Sequence, residues 1–130
     1  MLILPALGVI NAIYHGRMLQ HYVRHPKRID DMAGLARFQK IVARQMYAAL
    51  AQLLLLIIPI ILYFIAIPTE ILRFADIVYV MFPGAVLMAI GYHFKKVETQ
   101  VCRIPALGED LDEQRLAIIK RWRTRAVPDW

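Results

Sequence analysis

Few side chains in this chain could do chemistry, and each admits a simpler reading. His93 is the one imidazole within a long apolar run, and Ala89 sits one helical turn before it. A planar cofactor, haem or a chlorophyll-type pigment, would use His93 as axial ligand and the space beside Ala89 for its ring. The simpler and favoured reading joins Tyr92, His93 and Phe94 to Lys95 and Lys96 as a belt at a membrane surface. His21 and His25 lie four apart, the spacing of a zinc pair on a helix, with His15 further back. No Cys or Glu stands near to complete a metal set, and Pro26 ends the helix, so no metal site is expected. Glu70, Arg73 and Asp76, three apart, outline an ion-binding rim. The same trio reads more simply as a solvated turn in which Asp76 caps the following helix. Cys102 is a candidate for acylation or, more simply, a plain thiol. No nucleophile–base pair is evident, and no catalytic residue is assigned.

The Ala89-x-x-x-His93 spacing resembles that around the pigment-binding histidine of bacterial light-harvesting polypeptides. That resemblance covers one turn of helix and implies only a pigment ligand at His93. The length and the two-span layout depart from that family.

The elements that position these residues are set by hydropathy. The chain has 130 residues, 59% of them apolar, with a net charge of +6 and mean hydropathy +0.49. A soluble domain of this size could not hide so much apolar surface. One cysteine excludes an intramolecular disulfide. Two apolar runs, 46–67 and 77–94, are separated by a connector at 68–76. The first holds six Leu, six Ile and one Phe, worth roughly −4 to −8 kcal/mol on an insertion scale. Pro59 predicts a kink within it. The second carries Pro83, Gly84, Gly91 and His93 and inserts weakly alone, so it needs a packing partner.

Gln45, Ala48, Ala49 and Gln52 form a small and polar stripe on the first run, and Gly84, Ala85 and Ala89 a small stripe on the second. These are the expected contact faces of the hairpin, since close approach and interhelical hydrogen bonds drive association in lipid. A pore lining is the alternative use of the same polar face.

Residues 1–25 predict a hydrophobic helix, favoured as interfacial or re-entrant over a third span because only about fourteen residues are purely apolar. Asp30 or Asp31 is placed to cap a helix that continues into the first run. Asp110 and Glu113 read as a capping box opening an amphipathic helix at 110–123, with Leu111, Ile118, Ile119 and Trp122 on one face. The organisation expected is therefore 1–25, a hairpin at 29–96, and a peripheral segment at 97–130.

Basic residues flank the runs on their outer sides, where they favour anionic lipid headgroups over nucleic acid. Arg37, Lys40 and Arg44, with Lys95, Lys96 and Arg103, are expected to converge on one lipid- or partner-binding patch. The positive-inside rule puts that side in the cytoplasm, matrix or stroma of a bacterial inner membrane or an organellar inner or thylakoid membrane. The fold class read from these features is an all-α integral membrane protein, a two-helix transmembrane hairpin with an N-terminal hydrophobic or interfacial helix and a C-terminal amphipathic helix. The leading functional expectation is a non-catalytic accessory subunit of a larger membrane complex, an energy-transducing one among the candidates. A pigment- or haem-binding subunit and a small oligomeric channel or transporter are the alternatives.

Overall fold

The computed structural model describes residues 3–25, 28–69 and 73–130. Four helices account for most of them: α1 (Ile3–Arg24), α2 (Met32–Ala66), α3 (Val78–Cys102) and α4 (Glu109–Thr124). Two are long and apolar enough to cross a membrane, and both keep almost all of their apolar window unburied by the rest of the chain. They form an antiparallel hairpin.

α2 starts where Asp31 accepts a 2.7 Å hydrogen bond from the amide of Gly34, so the cap is the second of the two candidate aspartates. It then runs 35 residues, through Pro59, without interruption. That is about 52 Å of helix, well beyond the ~30 Å thickness of a hydrocarbon core. The surplus lies at its N-terminal end, and this is where a water-type core forms. Phe38 and Val42 from α2, Val101 from α3 and Leu19 from α1 are buried together with Ile118 and Ile119 of α4. The loops of this head are joined by two backbone bonds: Ile29 donates to Pro105 and Leu107 donates to Ile29, both at 2.8 Å.

At the other end, the connector begins and ends in short 3-10 turns, Ile67–Thr69 and Phe74–Ile77. Asp76 accepts from the Arg73 amide at 2.8 Å. Tyr63, buried near the end of α2, directs its hydroxyl at the carbonyls of Arg73 and Phe74 (3.2 and 3.0 Å). Glu70, the first member of the expected rim, lies outside the described residues.

Two details differ from the sequence reading. α4 begins one residue early, with Gly108 at its N-cap and no side-chain cap. Gly108 has φ +88° and ψ 154°, a region nearly closed to other residues, and this turn puts Asp110 inside the helix rather than at its cap. Glu109, Asp110 and Asp112 in the first turn complement the helix dipole instead. Asp112 also pairs with Arg115, which in turn donates to the carbonyl of Cys102 at 2.9 Å, tying α4 to the end of α3.

The second difference is the course of α1. α1 packs along both long helices and is the main partner of each. α2 and α3 touch each other far less than either touches α1.

The head and the apolar stem make separable contributions. Phe38→Ala is expected to cost about 3–5 kcal/mol, the usual range for emptying a buried phenylalanine site. Thermal unfolding in detergent, followed by circular dichroism, measures it; a cost below about 1 kcal/mol would mean that the head core is not closed around this ring.

Candidate functional site

The residues that hold the three long helices together meet in a seam around α1. Its buried face consists of Pro5, Gly8, Gly16 and Leu19, with Asn11, Ala12 and His15 half-buried between them. Gly8, Ala12 and Gly16 recur every fourth residue, so small side chains line one stripe and let neighbouring backbones come close. A β-carbon on Gly8 would stand 3.7 Å from Leu55 of α2 and 3.7 Å from Leu87 of α3. One on Gly16 would fall 2.3–2.5 Å from the ring of Phe94. The ring occupies the place of the missing side chain.

The α2 side of the seam is polar. Asn11 donates to the side-chain oxygen of Gln52 (3.3 Å) and to the carbonyl of Ala48 (3.4 Å). Gln45 donates to the carbonyl of His15 at 3.0 Å. Such bonds between helices in lipid average about 0.6 kcal/mol, so they set register more than they add stability. Two polar atoms in the seam, His15 Nδ1 and Gln52 Nε2, are buried with no hydrogen-bond partner. A cavity of about 230 Å³ lies beside them, lined among others by Asn11, His15, Gln45, Gln52, Gly91 and Trp122.

The stripe foreseen on α2 is thus a contact face, but its partner is α1. Gln45, Ala48 and Gln52 face α1, while Ala49 is exposed at the cavity rim. On α3, Gly84 approaches Leu56 of α2, where a β-carbon would sit at 3.7 Å. Ala85 and Ala89 are exposed on the outside of the bundle, as is His93. The His93 ring stands edge-on to Phe94 (centroids 5.2 Å). A macrocycle ligated there would lie on the outer surface, uncovered by this chain.

His21 and His25 are exposed and stack on each other at 4.4 Å. Among the described residues no three His, Cys, Asp or Glu side chains gather closely enough to hold a metal ion. Burial raises the pKa of the Cys102 thiol above its ordinary value, partly offset by Arg123 beside it, so the nucleophilic thiolate is disfavoured at neutral pH.

The six basic residues divide between separate places. Arg37, Lys40 and Arg44 line a groove between α2 and the end of α1. Lys95 lines another, with Trp122 and Arg123 of α4. Lys96 is exposed on α3 and Arg103 at its C-cap.

Seam and cavity make opposite demands on two glycines of the same bundle. Gly16→Leu must displace Phe94 and is expected to destabilise by about 1–3 kcal/mol, the usual cost of overpacking. Gly91 has nothing within 4 Å of where a β-carbon would sit, so Gly91→Ala is expected to leave stability unchanged or slightly raised. Detergent melting curves of the two variants test this, and equal effects would contradict the packing described.

Comparison with protein-family models, curated proteins and solved structures yields no match for this chain.

Proposed function

We propose that this chain is a non-catalytic accessory subunit of a larger membrane assembly, with its apolar stem in the bilayer and its head at the basic, cytoplasm-like side. The stem supports the first part of this reading. Ile3, Leu7, Ile10 and Tyr14 of α1 are exposed along one face, continuous in chemistry with the exposed Leu, Ile and Phe of α2 and the Met, Phe and Tyr of α3. An apolar belt of this extent has no place in water. α1 belongs to it as a third embedded helix: Gly8 stands level with Leu55 and Leu87, near the middle of both apolar runs.

The observation that carries the subunit reading is where the stem's polar and small side chains point. Asn11, Gln45 and Gln52 engage one another's helices, so among the described residues this polar face lies in the seam between α1 and α2. Ala85, Met88, Ala89 and Tyr92 instead form an exposed stripe on α3. Small residues beside adaptable methionine on a lipid-facing helix suit a contact with another transmembrane helix. In this reading the head is a fixed block on the water side that a neighbour can grip.

Native-size separation from solubilised membranes tests the proposal. The chain is expected to migrate in a complex several times its 15.0 kDa mass, and Ala85→Trp with Ala89→Trp to shift it to free chain without loss of its own helical spectrum. Migration of the unaltered chain as a monomer under gentle detergent would overturn the subunit role.

A further inference from the structure

The groove between the end of α1 and the start of α2 has the form of a headgroup seat. It encloses about 620 Å³ and is walled by Tyr22 and His25 on one side and by Arg37, Lys40 and Arg44 on the other, with Arg28, Asp30 and Asp31 at its end. Its two carboxylates are already engaged. Asp30 pairs with Arg28 at 2.5 Å, and Asp31 accepts the capping bond from Gly34. Among the described residues no carboxylate pairs with Arg37, Lys40 or Arg44. Three cations at positions i, i+3 and i+7 of one helix therefore share a wall without a salt-bridge partner, and the groove stays net positive because Arg28, Arg37, Lys40 and Arg44 outnumber Asp30 and Asp31.

The depth of this wall matters as much as its charge. Arg44 precedes the apolar run at 46–67 by two residues and Lys40 by six, which is about 3 and 9 Å along the helix. A headgroup layer is roughly 5–8 Å thick on each side of the hydrocarbon. Arg44 thus falls within the headgroup layer, Lys40 stands just beyond it and Arg37 about a turn further out, and the long side chains of both can reach back to phosphate level. Towards the stem, Tyr47 follows Arg44 by one turn on α2, and Tyr14 precedes Met18, the Arg44 contact on α1, by one turn. Both tyrosines are exposed, as interfacial aromatics are where acyl chains begin.

We infer that this groove binds the phosphate headgroup of an anionic phospholipid, with the acyl chains running up past Tyr14 and Tyr47. The inference rests on the membrane placement proposed above and is independent of the subunit role. It selects Arg37, Lys40 and Arg44 as the specific site and leaves Lys95, Lys96 and Arg103 outside it.

Native mass spectrometry of the full chain in neutral detergent, with phosphatidylglycerol or phosphatidylcholine added, tests the seat. Phosphatidylglycerol is expected to remain bound at least about tenfold more than phosphatidylcholine. Each of Arg37→Gln, Lys40→Gln and Arg44→Gln should lower its retention about fivefold, from the usual worth of a cation near an anionic surface. Lys95→Gln with Lys96→Gln and Arg103→Gln should leave it unchanged. The combined variant Arg37→Lys and Arg44→Lys, which keeps the charge, should retain most binding, so loss of fold is told apart from loss of the site. Equal losses from both groups of Gln variants, or no preference between the two lipids, would overturn the inference. So would displacement by glycerol phosphate without acyl chains, which would mark a site for soluble phosphates. A chain that stays soluble without detergent would instead refute the membrane placement itself.

Discussion

The ring of Phe94 lies where a side chain on residue 16 would begin, and this close fit keeps α1 between the other two long helices. α2 and α3 have little direct contact, so the hairpin depends on a third helix to become a bundle. In the bilayer proposed for the stem there is no hydrophobic force between apolar helices, and packing at short range must supply the cohesion. Gly8, Ala12 and Gly16 allow that approach, and the bonds of Asn11 and Gln45 to α2 fix its register. The marginal hydropathy of α3 gains meaning here. A helix interrupted by Pro83, Gly84 and Gly91 inserts weakly by itself, and α1 offers it a matching surface.

The same arrangement explains the head. α2 is longer than a membrane is thick, so its first turns project beyond the stem and would expose Leu35, Phe38 and Val42 to water. The ends of α1 and α3 bring Leu19 and Val101 to that face, and α4 closes it with Ile118 and Ile119. The chain thus presents two kinds of surface. The stem hides polar groups and shows apolar ones, while the head does the reverse. The groove between α1 and α2 lies where these two regimes meet.

Much of this was legible in the residues. The lengths of the two apolar runs, a cap at Asp30 or Asp31, the continuity of α2 and the inward face of α4 all follow from hydropathy and short-range rules. The partner of the Gln45–Gln52 stripe was harder to read. A stripe marks a contact face and does not name what meets it, and hydropathy alone points to α3, the other long apolar helix, as its partner. The signal for α1 was present as Gly8-x-x-x-Ala12-x-x-x-Gly16, masked by a count of apolar residues that fell short of a full span. Helix depth depends on who packs beside it as well as on length. The cap of α4 was hidden for a local reason: Gly108 adopts a backbone conformation that no side-chain pattern announces. The grouping of the basic residues was beyond sequence, because Lys95 and Arg44 each adjoin an apolar run but line different grooves.

The central claim is that α1 is an embedded helix clasped by the other two, and its depth in a bilayer is the most direct test. Spin labels at Leu7, Ile10 and Ile13, with references at Leu53 and Leu54, can be placed in reconstituted bilayers and their depths obtained from relaxation by oxygen and by a water-soluble nickel complex. The expected result is oxygen access with nickel exclusion at all three α1 positions, deepest at Leu7 and shallower by about 1.5 Å per residue towards Ile13. A single shallow depth shared by the three, with nickel access, would place α1 flat on the surface and contradict the account.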